Sequence, residues 1–225
     1  MKAGKLTAAI GASRSGKSAF VLNEIKGRDR VLVWDVKGEY SGFIQCRSKA
    51  QLFKAVNAPG NKGRIAFVPP SLDDFDYFCR LAAAWVKLNC GAGHRTALVF
   101  EETADVTSPG KAPQSYGILL RRFLSYGVDI YAITQRPAES DKTAVGNASI
   151  VRVCRLQLAR DKKSAAADTG IPLPVITSLK ADQDRGRFDF VHADTGAGNY
   201  RQGLLTFSAV GKAKFKMTGE VKSFE

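Results

Sequence analysis

Residues 11–18 read Gly-Ala-Ser-Arg-Ser-Gly-Lys-Ser, two glycines separated by four residues with a lysine and a serine directly after the second. That spacing suits a phosphate cradle. The glycines let successive backbone N–H groups turn toward phosphate oxygens, and Ala12, Ser13, Arg14 and Ser15 complete the wrap. Lys17 can reach the β and γ phosphates, and the Ser18 hydroxyl can ligate Mg²⁺. A helix starting at Lys17 would present its positive end to the same charge. The residues expected at the ligand are therefore Gly11, Ala12, Ser13, Arg14, Ser15, Gly16, Lys17 and Ser18. The ligand is ATP, with GTP as the alternative. Such a loop on its own supports only binding.

Hydrolysis also needs an acid near the metal and a group that orients water. Leu98-Val99-Phe100 runs straight into Glu101-Glu102, an apolar strand ending in two carboxylates. Neighbouring residues along a strand point to opposite faces, so the two acids cannot share one role. Glu101 is assigned to Mg²⁺ and its water shell, Glu102 to the attacking water. Ile133-Thr134-Gln135-Arg136-Pro137 ends another apolar run, which places Gln135 beside the γ-phosphate as a sensor of nucleotide state. Taken singly, an acidic pair or a glutamine at a strand end can be an ordinary surface group. The upstream phosphate loop shifts the weight toward chemistry.

These groups meet only if the intervening elements carry them to one edge. Apolar runs predict strands at Leu6–Ile10, Arg30–Asp35, Arg64–Val68, Thr96–Phe100 and Val128–Thr134. Helical periodicity falls between them, at Lys17–Ile25, Ser48–Val56, from Asp73 and Asp74 to about Asn89, and at Gln114–Tyr126. Strict strand and helix alternation predicts an α/β fold, a mainly parallel sheet with helices on both faces. After Pro137 the pattern weakens. Ile150–Leu158 alternates like an exposed or edge strand, Phe188–Val191 and Leu204–Val210 read as further strands, and the Pro and Gly between them suggest loops. The length of 225 residues suits one domain, with a core over about residues 1–160 and a strand-rich extension over about 161–225.

Composition narrows the partners. Lys and Arg total 34 against 21 Asp and Glu, a net charge of +13. Such a field draws the chain toward polyanions, nucleic acid first, with an anionic membrane face or simple solubility as alternatives. Cys46, Cys79, Cys90 and Cys154 are widely spaced, which argues against a zinc site or a disulfide framework and fits a reducing compartment. The N-terminus superficially resembles a signal peptide, but its apolar stretch runs directly into the phosphate loop, where cleavage would destroy the site. No run of about 18 uncharged apolar residues offers a membrane span.

Four segments together resemble one family. They are Gly11 to Ser18, Val33-Trp34-Asp35-Val36-Lys37-Gly38-Glu39-Tyr40, the strand ending in Glu101-Glu102, and Thr134-Gln135-Arg136-Pro137. The set is similar to the FtsK–HerA superfamily of DNA-pumping P-loop ATPases. The Asp-x-Lys-Gly-Glu-Tyr and Thr-Gln-Arg-Pro segments are the discriminating pair, and the match spans residues 5–137. A short chain without a membrane segment or large extra domain is most similar, within that superfamily, to the genome-packaging ATPases of tailless icosahedral viruses with an internal membrane. Glu101 departs from the pattern, since the family more often has Asp there.

The resemblance implies a RecA-like core with an added catalytic glutamate, assembled as a homo-oligomeric ring, a hexamer, around double-stranded DNA. It implies ATP hydrolysis coupled to DNA translocation into a preformed capsid. Capsid vertex or packaging proteins would be partners, with the virion and host cytoplasm as location. A host or plasmid translocase or helicase and a nucleotide-dependent virion assembly factor are the alternatives. Such rings complete each site with a neighbour's arginine. Arg121 and Arg122 are the first candidates, followed by Arg152, Arg155 and Arg160. DNA contact should be electrostatic and independent of sequence. Lys111 in the loop Thr103–Gln114, Arg160, Lys162, Lys163, Arg185, Arg187, Lys212, Lys214 and Lys216 are candidates for it. Phe207, Phe215 and Phe224 interleave with the tail charges and belong to strand packing, because duplex DNA hides its bases from stacking. Membrane contact would rest on charge, since no amphipathic anchor stands out.

Overall fold

Strands β1 (Leu6–Ile10), β2 (Arg30–Trp34) and β5 (Thr96–Phe100) are buried at every position, as strands covered by helices on both faces must be. The computed structural model describes residues 3–59, 63–88, 96–110, 112–208 and 211–224. Between these strands lie α1 (Lys17–Glu24), β3 (Ile44–Cys46), α2 (Lys49–Val56), β4 (Gly63–Phe67) and α3 (Phe75–Leu88). The chain continues through α4 (Gln114–Arg122), β6 (Asp129–Thr134), α5 (Thr143–Gly146), β7 (Ile150–Cys154), α6 (Ala159–Thr169) and α7 (Leu173–Ser178). It closes with β8 (Ala181–Asp182), β9 (Arg187–Asp194), β10 (Asn199–Phe207), β11 (Ala213–Met217) and β12 (Lys222–Ser223).

All twelve strands among the described residues join one sheet, in the order β11-β10-β9-β7-β1-β6-β5-β2-β4-β3, with β8 on β9 and β12 on β10. From β7 to β3 every neighbouring pair is parallel. From β7 outward through β9, β10 and β11 the pairing is antiparallel. The fold is thus an α/β P-loop architecture, a mainly parallel sheet flanked by helices. Its central order decides the site. β6 lies between β1 and β5, with Ile10 opposite Thr134 and Ala132 opposite Phe100, and β2 lies beside β5, with Trp34 opposite Phe100. The loops after β1, β6, β5 and β2 therefore leave the same edge side by side.

Aromatic packing fixes those strand ends. Trp34 meets Phe75 at a ring-centroid distance of 5.1 Å, and Phe100 meets Tyr116 at 4.9 Å, contacts that each contribute about 0.5–1.5 kcal/mol beyond burial. Trp34 and Phe100 immediately precede Asp35 and Glu101, so the cluster sets where both acids begin. Capping follows the sequence. Ser48 accepts from Gln51 N at 3.2 Å to start α2, and Ser71 accepts from Asp73 N at 3.2 Å in the 3₁₀ turn Leu72–Asp74 that leads into α3. The expected end of α3 at Asn89 lies outside the described residues.

The chain after Pro137 differs most from expectation. β7 is an interior strand, pairing β1 on one side and β9 on the other, and it ends at Cys154. Arg152 gave it the alternation of an edge strand, yet the Arg152 side chain is buried. Its guanidinium carbon stacks 3.8 Å from the ring centroids of both Phe20 and Phe190. Arg152 Nη2 lies 3.2 Å from His192 Nδ1. A guanidinium only donates, so that nitrogen accepts and the imidazole is neutral with its proton on Nε2. Burial accordingly pushes the His192 pKa down to about 4. The segments between the strands are also not all loop, since α6 and α7 occupy most of residues 159–178. The helix expected to reach Tyr126 ends at Arg122 and tightens into a 3₁₀ turn over Phe123–Tyr126. The strand expected over Leu204–Val210 belongs to β10 and ends at Phe207, with residues 209–210 outside the described set.

The tail phenylalanines pack as expected. Phe215 lies 6.2 Å from both Phe20 and Phe190, Phe207 lies 5.7 Å from Phe188, and Phe224 stacks on Tyr200 at 5.9 Å. Cys46, Cys79 and Cys154 are free and buried, while Cys90 lies outside the described residues. Among the described residues no helix is long and apolar enough to cross a membrane.

Candidate nucleotide site

The loop after β1 is pinned on both sides. Gly11 N donates to Thr134 O at 3.1 Å and Ala12 N donates to Arg155 O at 2.8 Å, which ties the loop to the ends of β6 and β7. Gly16 precedes α1 with φ 93°, and a Cβ there would come within 2.7 Å of Leu205 Cδ2. A Cβ on Gly11 would meet Ser15 Oγ at 2.6 Å and Cys154 Cβ at 2.7 Å. Gly11 is therefore required by space and Gly16 by backbone conformation. Lys17 is 5% exposed and its Nζ donates to Ala12 O at 2.7 Å. Burial lowers its pKa, against the charges of Glu102 and Glu101 that favour the ammonium.

Two non-glycine residues among the described set hold left-handed backbone, Arg14 at φ 54° and Glu102 at φ 50°. Each conformation costs about 1–3 kcal/mol and persists only where surroundings enforce it. Both border one cavity of about 370 Å³, lined by residues 13–19 together with Lys37, Glu39, Glu102 and Gln135. Its volume and concave shape suit a nucleotide-sized ligand. A larger cavity of about 550 Å³ opens toward the opposite edge of the sheet, beside Gly4, Asp129 and His192, and has no phosphate loop.

The two acids do divide. Glu102 lines the cavity, and the segment after it is tied to β6 by Thr103 Oγ1 donating to Ile133 O at 3.2 Å. Glu101 sits behind the cavity wall at 6% exposure, where Tyr40 OH donates to its Oε1 at 2.7 Å. Burial pushes the Glu101 pKa up to about 7, opposed by that hydrogen bond. Gln135 Nε2 donates to Glu102 Oε1, and Lys37 Nζ donates to the same oxygen at 2.6 Å. Asp35 holds the turn that makes this reach, its carboxylate accepting from Glu39 N and Tyr40 N at 3.0 Å each.

Lys37 and Tyr40 are site residues to which the sequence reading attached no role. They stood in view within the Asp-x-Lys-Gly-Glu-Tyr segment. Only the adjacency of β2 and β5 shows that each reaches one of the two acids. For Mg²⁺, Ser18 and Glu102 line the cavity while Glu101 lies behind it. No cluster of three or more His, Cys, Asp or Glu side chains gathers anywhere among the described residues. Such a donor set fits a hard cation held by one or two protein oxygens, with phosphates and water supplying the rest.

The arginines scatter. Arg121 and Arg122 are exposed in the last turn of α4. Two residues further on, Leu124 O accepts from Gly4 N at 2.8 Å, next to the start of β1. They therefore lie at the opposite sheet edge from this chain's own phosphate loop. Arg152, 4% exposed and sandwiched between two rings, is too buried to reach a neighbour's site. Arg155 is half-buried beside the loop that its carbonyl holds, and the exposed Arg160 is paired with Glu139. Lys163, Arg185, Arg187, Lys212, Lys214 and Lys216 are exposed and Lys162 half-buried, while Lys111 lies outside the described residues.

No family model matches the chain. It is 39% identical over 162 residues to protein P9 of Pseudoalteromonas phage PM2, covering 70% of this chain and 69% of that protein. Among solved structures, the genome packaging NTPase B204 of Sulfolobus turreted icosahedral virus 2 in complex with AMPPCP is similar with a TM-score of 0.69. The identity is 16%, over 88% of this chain and 96% of that one. VirB4 of Thermoanaerobacter pseudethanolicus is similar at 0.58 with 12% identity, covering 90% and 89%. Both structural likenesses speak for the fold.

Proposed function

The chain belongs to the same family as protein P9 of phage PM2, and on that premise we propose that it is a P-loop ATPase of the FtsK–HerA superfamily and a viral DNA-packaging motor. The observation that carries this reading is the convergence of Lys17, Ser18, Glu102 and Gln135 on one cavity at the carboxyl edge of the sheet. Lys17 and the loop amides bind the phosphates of ATP. Glu102, oriented by Gln135, accepts a proton from the attacking water. Ser18, with Glu101 behind the cavity wall, would hold Mg²⁺, which would supply charge neutralisation on the phosphates.

The cargo reading rests on charge and on likeness to an NTPase named for genome packaging. Arg187, Thr206 and Lys214 stand in register across β9, β10 and β11, and Lys216 follows on the same face. This basic stripe suits duplex backbone. A single domain assembled as a ring, with Arg121 and Arg122 of α4 offered to the neighbouring subunit, would bring such stripes around one DNA. Entry into a capsid, and the vertex proteins that would receive the ring, complete the proposal.

The binding mode is tested by titrating unrelated duplexes at rising salt. Affinity is expected to be alike for all sequences and to fall at least about tenfold between roughly 50 and 200 mM salt, with a shallower slope in Lys214→Gln/Lys216→Gln. Salt-insensitive or sequence-specific binding would contradict it. Separation of a forked duplex would move the reading to a helicase.

A further inference from the structure

The Lys37–Glu102 pair has two features that bear on how the site is controlled. First, Lys37 lines the same cavity as the phosphate loop, and its side chain is 42% exposed against 9% for Glu102. Its backbone is fixed by the Asp35 hydrogen bonds to Glu39 N and Tyr40 N and by the left-handed turn at Gly38, φ 71°. The root of Lys37 is therefore anchored while its ammonium tip borders solvent and can change partner. Second, Lys37 and Gln135 both donate to Glu102 Oε1. Two donors occupy Glu102 Oε1, so a water must compete with them for that oxygen until one leaves.

We propose that Lys37 is shared between Glu102 and the terminal phosphate of a bound nucleoside triphosphate. Occupation of the third phosphate position draws the ammonium away and frees Glu102 for the water. This rests on the reading of the cavity as a triphosphate site with Glu102 as its water-activating acid. A triphosphate carries the extra anionic group that competes for Lys37, and a diphosphate does not. Lys37 thereby reads which nucleotide is present, and the Asp-x-Lys-Gly-Glu-Tyr turn is the arm that holds the reader in place. The other charged groups near the ammonium are Glu39, on the same turn and lining the cavity, Glu101 behind it, Lys17 of the phosphate loop and Asp105 beyond Glu102. Of these groups, Glu102 is the one that accepts a hydrogen bond from the ammonium, so it is the partner to be exchanged.

The test is a thermodynamic cycle on the full chain with Mg²⁺, measuring dissociation constants for AMPPNP and for ADP by calorimetric titration. Lys37→Gln should weaken AMPPNP about tenfold, the scale of one charge-assisted hydrogen bond, and leave ADP within about twofold. The unchanged ADP affinity also reports an intact fold. Glu102→Gln releases Lys37 from its ion pair and should tighten AMPPNP by about three- to tenfold, with ADP within about twofold. In the double variant that gain should vanish. Equal tightening of ADP, or a gain that survives without Lys37, overturns the exchange and reduces the Glu102 effect to relief of charge repulsion. If Glu102→Gln hydrolyses ATP at the wild-type rate, the functional reading itself fails. If it is inactive while AMPPNP affinity ignores Lys37, only the exchange fails.

Discussion

Lys17→Ala loses ATP turnover by at least about a thousandfold, roughly 4 kcal/mol of transition-state stabilisation, and binds nucleotide much more weakly. The size follows from its setting. Lys17 is a cation held at 5% exposure inside the phosphate loop, and water cannot replace it there without opening the loop. Its present partner, Ala12 O at 2.7 Å, keeps the ammonium over the cradle until phosphate arrives. The fold should survive, because the lysine's burial disfavours its own charge and the loop stays anchored through Gly11 N and Ala12 N. Circular dichroism and a malachite-green phosphate assay check both halves. Normal turnover by a folded Lys17→Ala protein would remove the site from the account.

Glu102→Gln is the second large effect. Glutamine has the same shape and keeps an oxygen for Gln135 while no longer holding Lys37 by charge, so binding persists, but it cannot take a proton from water. Loss of that role should lower turnover about 10²- to 10⁴-fold. Glu101→Gln makes the matched control. Glu101 is buried, outside the cavity lining and away from the attacking water, and burial pushes its carboxyl up to about 7, against ionisation. Its amide should therefore cost less turnover than the Glu102 amide. The reverse order, measured by the same phosphate assay, would exchange the two roles.

How much of this was legible in the sequence depends on how local the signal was. The phosphate loop is a contiguous octapeptide, and the inner strands are unbroken apolar runs, so both could be read directly. β7 reads as an edge strand from sequence because a charged Arg152 interrupts its apolar run. The burial of Arg152 depends on Phe20 from α1 and Phe190 from β9, which only the folded sheet assembles. α6 carries no sequence signal of its own because its buried stripe is Asp161, Ala165 and Thr169, two polar residues and an alanine, which leaves no hydrophobic period. Asp161 is nevertheless anchored, accepting from Ala138 N at 3.2 Å. β3 is three residues long, too short for any period.

At the site, the separate segments were visible and their meeting was not. Lys37 and Glu102 stand 65 residues apart. Their contact follows from β2 and β5 being neighbours, a matter of strand order. Gln135 reaches the same oxygen because β6 separates β1 from β5. The direction of α4 likewise carries Arg121 and Arg122 away from the chain's own cavity, which a candidate list drawn from spacing could not anticipate.

The central claim is that this site drives work on duplex DNA. The most direct measurement is ATP hydrolysis by the wild-type chain with Mg²⁺, with and without linear duplex DNA, beside the Lys17→Ala protein. The account predicts turnover that rises when duplex is added and is absent in Lys17→Ala under both conditions. Turnover that ignores duplex, or none above the Lys17→Ala background, would contradict it.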